Sequence, residues 1–237
     1  MPRRRSWWRR LRERLSLREF FLRGLERRPV LQEALRAELN RPMLLYRNPL
    51  TNNFFARLGT ISLVLFLILV GSGLLLLMYY VPSTGEAHHS VVLLSNEVPF
   101  GWLIRGVHYW AANLLIVTVM AHMARIFFSG AYKPPRDFNW VTGVVLIALV
   151  ICFEFTGYLL PWSQEAYWAT TVGTNYLASI PLIGETLMYL LRAGMEVNQL
   201  TLTRFFAFHV GILPTVTIIV LALHFLLVRR QGMAEPL

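Results

Sequence analysis

The chain has 237 residues, of which 55% are hydrophobic and only 15% charged, against roughly a quarter charged in an average soluble protein. This excludes an ordinary soluble globular domain and a disordered chain alike. The formal charge of +10 is localised: residues 1–47 hold fourteen Arg against five Glu, or +9, and the other 190 residues are close to neutral at +1. A single cysteine, Cys152, excludes a disulfide scaffold and any Cys-rich zinc or iron–sulfur site built by this chain alone.

Residues 1–47 read as a basic amphipathic arm followed by a membrane domain over 48–237. Ser16-Leu-Arg-Glu19 is a capping-box pattern. Leu17, Phe20, Phe21 and Leu25 follow at helical spacing, and Leu31, Ala34, Leu35 and Leu39 repeat it after Pro29. An Arg-rich amphipathic helix suits an anionic lipid surface, so the partner implied by the charge is membrane lipid and not nucleic acid.

A bilayer core of roughly 30 Å needs about 20 apolar residues in a helix. Four stretches qualify, at about 58–81, 106–128, 140–160 and 205–228, and the only acid in their apolar runs is Glu154 in the third. The arm, the second connection (Lys133, Arg136) and the tail (Arg229, Arg230) are basic, whereas the first and third connections carry Glu86, Glu97, Glu165, Glu185 and Glu196. The positive-inside rule then puts both termini on the cytoplasmic side, with the first and third spans running outward and the second and fourth inward. Ile180–Leu191 in the third connection is apolar but too short to span, and is expected along the outer interface. Pro214 is expected to kink the fourth span.

Four of the six histidines fall inside spans: His108 and His122 in the second, His209 and His224 in the fourth. Ionisable groups at membrane depth are costly and mark function by default. Fourteen residues leave His108 and His122 about 40° apart on one helix face and about 21 Å apart along the axis; fifteen leave His209 and His224 about 60° and about 22 Å apart. The two helices run in the same direction, so His108 falls level with His209 on the outer side and His122 with His224 on the inner side. Facing imidazoles with no nearby thiolate or carboxylate suit bis-His haem iron; a zinc site needs more ligands at each level. The fold class expected is an all-α membrane protein, a four-helix bundle holding two b-type haems between the second and fourth spans.

Glycines in the other two spans repeat the interval: Gly59 and Gly73 in the first and Gly143 and Gly157 in the third are each fourteen apart. Glycine lets a flat ligand approach the backbone, although it also serves close helix packing in membranes. Arg105 and Arg125 sit three residues from His108 and His122 on their waterward sides and are candidate partners for haem propionates, with Arg204 and Arg136 weaker ones of the same kind. His88 and His89 in the first connection read as surface residues.

The segments Arg105-Gly-Val-His108, His122-Met-Ala-Arg125, Lys133-Pro-Pro-Arg136, Trp140-Val-Thr-Gly143, Thr156-Gly-Tyr-Leu-Leu-Pro-Trp162, Leu202-Thr-Arg204 and His224 through Arg230-Gln-Gly together resemble the N-terminal half of cytochrome b from Rieske/cytochrome b complexes. The resemblance covers roughly residues 50–237 and is closest to the split, four-helix form of cytochrome bf complexes. It implies a subunit of a quinol:cytochrome c or plastocyanin-type oxidoreductase, not active alone, that carries electrons between quinol oxidation outside and quinone reduction inside and so supports proton translocation.

On this resemblance His108 and His209 bind a low-potential outer haem, and His122 and His224 a high-potential inner one. Arg229 lies near an inner quinone pocket, and Gly157–Tyr167, with Tyr158 and Trp162, forms the wall of an outer quinol site. The implied partners are a subunit carrying the remaining cytochrome b helices, a Rieske iron–sulfur protein and a c-type cytochrome, in a homodimeric complex of the bacterial inner membrane rather than a thylakoid-type one. The bf type attaches an extra haem through a cysteine at the start of the first span. This sequence reads Phe55-Ala56-Arg57-Leu58 there, which leaves a covalent extra haem without its attachment residue.

Glu154, one turn before Gly157, is unexpected in that pattern; it is a candidate proton acceptor from quinol, or a carboxylate bonded to backbone or to a neighbouring subunit. Two other functions fit intramembrane histidines: a dihaem anchor of another dehydrogenase or reductase, and a haem-free channel or transporter. The glycine pairs and the Gly157–Trp162 segment weigh against the first, and a reduced-minus-oxidised spectrum separates the haem readings from the second.

Overall fold

The computed structural model describes residues 57–231, and the basic arm lies outside them. Among the described residues every regular element is helical: α1 (Leu58–Leu77), α2 (Ala87–Asn96), α3 (Gly101–Phe128), α4 (Asp137–Leu159), α5 (Gln164–Ala178), α6 (Gly184–Arg192), α7 (Gln199–Ala207), a π-helical turn (Phe208–Ile212) and α8 (Leu213–Gln231). Four helical stretches, α1, α3, α4 and the continuous α7–π–α8 rod, are long and apolar enough to cross a bilayer.

These spans are apolar all round, not only on an inward stripe. Leu67 and Leu74 of α1 expose 58% and 61% of their surface, which water would penalise and lipid would not. The spans differ from their expected limits at the ends. α1 stops at Leu77, four residues short of Val81, and the chain turns through Met78 and Tyr79 before reaching Pro82. α3 begins at Gly101, five residues early. A side chain at Gly101 would run into the Leu94 carbonyl of α2, so glycine there lets the two helices meet at a corner. α4 starts at Asp137, where an acidic side chain in the first turn complements the helix dipole.

α1 packs chiefly on α3, and α4 chiefly on α8, with α3 and α4 also in contact. The bundle is thus two helical hairpins, α1/α3 and α4/α7–α8, joined side by side. Across the first, Ser62 Oγ donates to Thr118 Oγ1 at 3.1 Å.

The tightest core lies at the end of the bundle where the first and third connections meet. Ala87, Leu159, Val197, Leu202 and Phe205 are buried together there, flanked by Tyr80, Phe155, Leu160, Trp162 and Leu191. The third connection is more ordered than a single interfacial segment: it folds into α5 and α6. Ser163 caps α5 by accepting from Ala166 N, and Asn198 with Thr201 forms a capping box on α7. Arg192, only 4% exposed, fastens the connection. Its guanidinium donates to Thr174 Oγ1 at 2.6 Å, Thr171 O at 2.6 Å, Asn175 Oδ1 at 2.8 Å and Met195 O at 2.8 Å.

Candidate functional site: two levels of paired histidines

α3 carries His108 and His122, the π turn carries His209, and α8 carries His224. The rings of His108 and His209 face one another with centroids 6.4 Å apart and planes at 64°. Two imidazoles bound to one metal through bonds of about 2.0–2.1 Å, the usual length to histidine nitrogen, stand roughly 6–6.5 Å apart centre to centre. The pair therefore has the span for a shared iron. His122 and His224 form the second level, close enough to interact electrostatically. No group of three or more His, Cys, Asp or Glu that could hold a metal ion occurs among the described residues. Two nitrogens per level suit a macrocycle that brings the other four ligands itself, and do not suit a closed zinc site.

Each glycine of the fourteen-residue pairs lies against one histidine. A Cβ added at Gly73 would stand 3.3 Å from His108 Cε1, at Gly59 3.2 Å from His122 Cε1, at Gly157 2.6 Å from His209 Cε1, and at Gly143 3.7 Å from His224 Cε1. The levels are those expected, and the structure adds a specific reason for glycine: the imidazoles themselves occupy the space. α1 cushions the histidines of α3, and α4 those of the α7–π–α8 rod.

Three hydroxyls that sequence reasoning missed meet the histidines from the same positions. Ser72 Oγ lies 2.9 Å from His108 Nδ1, Thr142 Oγ1 2.8 Å from His224 Nδ1 and Thr156 Oγ1 3.2 Å from His209 Nδ1. Each immediately precedes one of the glycines, a Ser/Thr-Gly dipeptide visible at three of the four sites. The fourth glycine follows Leu58, and His122 Nδ1 is buried with no hydrogen-bond partner among the described residues.

The π turn explains the unequal intervals. A π turn takes in one residue more than an α turn, so the fifteen-residue step from His209 to His224 matches the fourteen-residue step on α3, rather than leaving the ideal-helix offset of about 60°. The irregularity expected at Pro214 takes this form: proline has no N–H to close the α-helical bond to the fourth residue before it.

The other expected site residues are more scattered. Arg125 is half-buried one turn beyond His122, and Arg136 and Arg229 are partly buried. Arg105 is exposed and donates to Ser95 Oγ at 3.3 Å, and Arg204 is exposed and donates to the Leu190 carbonyl. Tyr158 is 51% exposed. Trp162 adopts a left-handed φ of 49° and meets Tyr167 edge-on at 5.9 Å. Glu154 is half-buried between Phe153, which lies edge-on to His209 at 5.5 Å, and Phe155, which packs on Phe205. His88 and His89 are exposed, with His88 Nδ1 3.3 Å from Pro161 O and His89 Nδ1 3.7 Å from Glu86.

The sequence matches the family model of cytochrome b/b6/petB over residues 44–232. It is 42% identical over 185 residues to cytochrome b6 of Synechococcus sp. (strain JA-3-3Ab), covering 78% of this chain and 86% of that one. It is 43% identical, again over 78% of this chain and 86% of the relative, to cytochrome b6 of Gracilaria tenuistipitata var. liui. The fold is similar to a solved chain of a hyperthermophilic respiratory Complex III, with a TM-score of 0.73 and 32% identity; the alignment covers 88% of this chain but only 54% of that one. With the family model covering both histidine levels and all four spans, this chain belongs to the cytochrome b/b6/petB family.

Proposed function

We propose that the chain is the dihaem cytochrome b subunit of a quinol-oxidising electron-transfer complex of the quinol:cytochrome c or plastocyanin-type class, active only within that complex. The family implies haem, and the observation that supports two b-type haems is the pair of histidine levels, each drawing one imidazole from each hairpin against a facing glycine. Bound b haem supplies reversible one-electron redox chemistry at its iron.

The chain's own residues hold and orient. His108 and His209 offer Nε2 at one level and His122 and His224 at the other. Gly59, Gly73, Gly143 and Gly157 keep the rings free of crowding, and the apolar spans exclude water. Arg105 and Arg125 serve as propionate partners in this reading, with Arg136 and Arg204 as weaker ones; the partial burial of Arg125 and Arg136 supports those two. Arg229 serves a quinone-reducing pocket, and Tyr158 and Trp162 a quinol-oxidising one.

In this reading the complex moves electrons across the membrane between those pockets and releases and takes up protons on opposite sides. It includes a partner with the remaining cytochrome b helices, a Rieske protein and a c-type cytochrome, and is homodimeric. The location is a bacterial inner membrane with both termini cytoplasmic. Reduced-minus-oxidised spectra of the purified complex test the reading: b-type absorbance is expected, with half lost in His122→Ala and a different half in His209→Ala. No b-type absorbance, or both haems kept in both variants, overturns it.

A further inference from the structure

Ser72, Thr142 and Thr156 each have a second contact that fixes how they meet their histidine. A hydroxyl has one proton to give and lone pairs to receive. Ser72 Oγ lies 2.7 Å from Ile68 O, Thr156 Oγ1 2.7 Å from Cys152 O and Thr142 Oγ1 2.8 Å from Asn139 O. With the hydroxyl proton committed to its own helix, the oxygen faces the imidazole only as an acceptor. The hydrogen-bond network therefore assigns the proton to Nδ1 and leaves the Nε2 lone pair free for a metal. A hydrogen bond donated from the far nitrogen fixes the ring and raises the basicity of the ligating one.

The levels are backed unequally. His108 and His209 both have a hydroxyl acceptor. At the other level His224 has one, but Leu58 stands where His122 would find its own. Resting on the dihaem reading, we propose that Ser72, Thr142 and Thr156 are positioning residues that set the tautomer and donor strength of their histidines. The two-against-one distribution then supplies a local cause for the lower potential that the resemblance already implies at the His108/His209 level. More basic ligands favour the oxidised iron, which carries the extra positive charge.

The test is a spectroelectrochemical titration of both haems in the purified complex, with the His209→Ala spectrum assigning them. Ser72→Ala and Thr156→Ala are expected to favour reduction of the His108/His209-level haem by about two- to tenfold in equilibrium constant, the worth of one net hydrogen bond. The other haem should be unmoved. Thr142→Ala should act on the His122/His224 level alone, and Leu58→Thr, which supplies the missing hydroxyl, should move that level the opposite way. Ser72→Thr, Thr142→Ser and Thr156→Ser should keep parental potentials. If an Ala variant sheds its haem while the hydroxyl-retaining variant keeps it, the positioning role stands. Parental potentials in the Ala variants, or equal shifts or losses in the hydroxyl-retaining ones, overturn it with the dihaem reading intact; absence of b haem from the parent overturns both.

Discussion

A methyl group added at Gly157 would lie 2.6 Å from Cε1 of His209, closer than real side-chain carbons approach a neighbour. The ring cannot simply retreat, because Thr156 meets its Nδ1 at 3.2 Å and Phe153 stands edge-on at 5.5 Å. Gly157→Ala is therefore expected to cost about 1–3 kcal/mol through overpacking and to lower occupancy of the His108/His209 level. Gly143→Ala, whose Cβ would meet Met123 Sδ at 3.5 Å and His224 Cε1 at 3.7 Å in ordinary van der Waals contact, should be close to neutral. Haem-to-protein ratios of the two variants check the ranking, and equal losses would refute it.

Deleting Gly211 removes the extra residue of the π turn and should keep both histidines of the rod facing their partners, with Pro214 still leaving one α-helical bond unmade. Nothing lies within 4 Å of a Cβ built at Gly211, so its removal takes no packing with it. Inserting one alanine there should instead swing His224 by about 100° relative to His209 and abolish one haem. Pyridine haemochrome assays should return two haems for the deletion and one for the insertion.

Removing the Arg192 guanidinium would leave Thr174, Thr171, Asn175 and Met195 each without a donor they now have. Arg192→Met should cost about 3 kcal/mol and expose the third connection to proteolysis. Arg192→Lys, which cannot reach four acceptors from one ammonium, should fall between. Thermal unfolding and limited proteolysis measure both.

Gln199, at the start of α7, reaches back to the first connection: its Oε1 accepts from Thr84 N at 2.7 Å and its Nε2 donates to Pro82 O at 3.0 Å. Gln199→Glu keeps the acceptor and sets an oxygen against the Pro82 carbonyl. It should loosen that connection by about 1 kcal/mol, seen as faster amide exchange at Thr84 and Gly85 with the haem spectrum unchanged.

The histidine and glycine intervals were legible because an apolar span has few polar residues, and those few recur at helical spacing. The hydroxyls were not, since serine and threonine are unremarkable in membrane helices; what marks Ser72, Thr142 and Thr156 is the glycine that follows each one. The π turn was half visible, in a fifteen-residue interval facing a fourteen-residue one just before Pro214. Arg192 reads in sequence as a loop charge. Only folding α5 beside α6 shows it buried among acceptors from α5 and from Met195 beyond its own helix.

Neither hairpin owns a complete level. α1/α3 brings His108 and His122 with two of the glycines, and α4/α7–α8 brings His209 and His224 with the other two. Each pair of facing histidines thus straddles the seam between halves that could enter a membrane one after the other. A group bound only by the docked halves pulls the docking equilibrium forward by mass action. On the dihaem reading, leaving the group out should weaken the seam between the inserted hairpins, which the core around Ala87, Leu159 and Phe205 still joins.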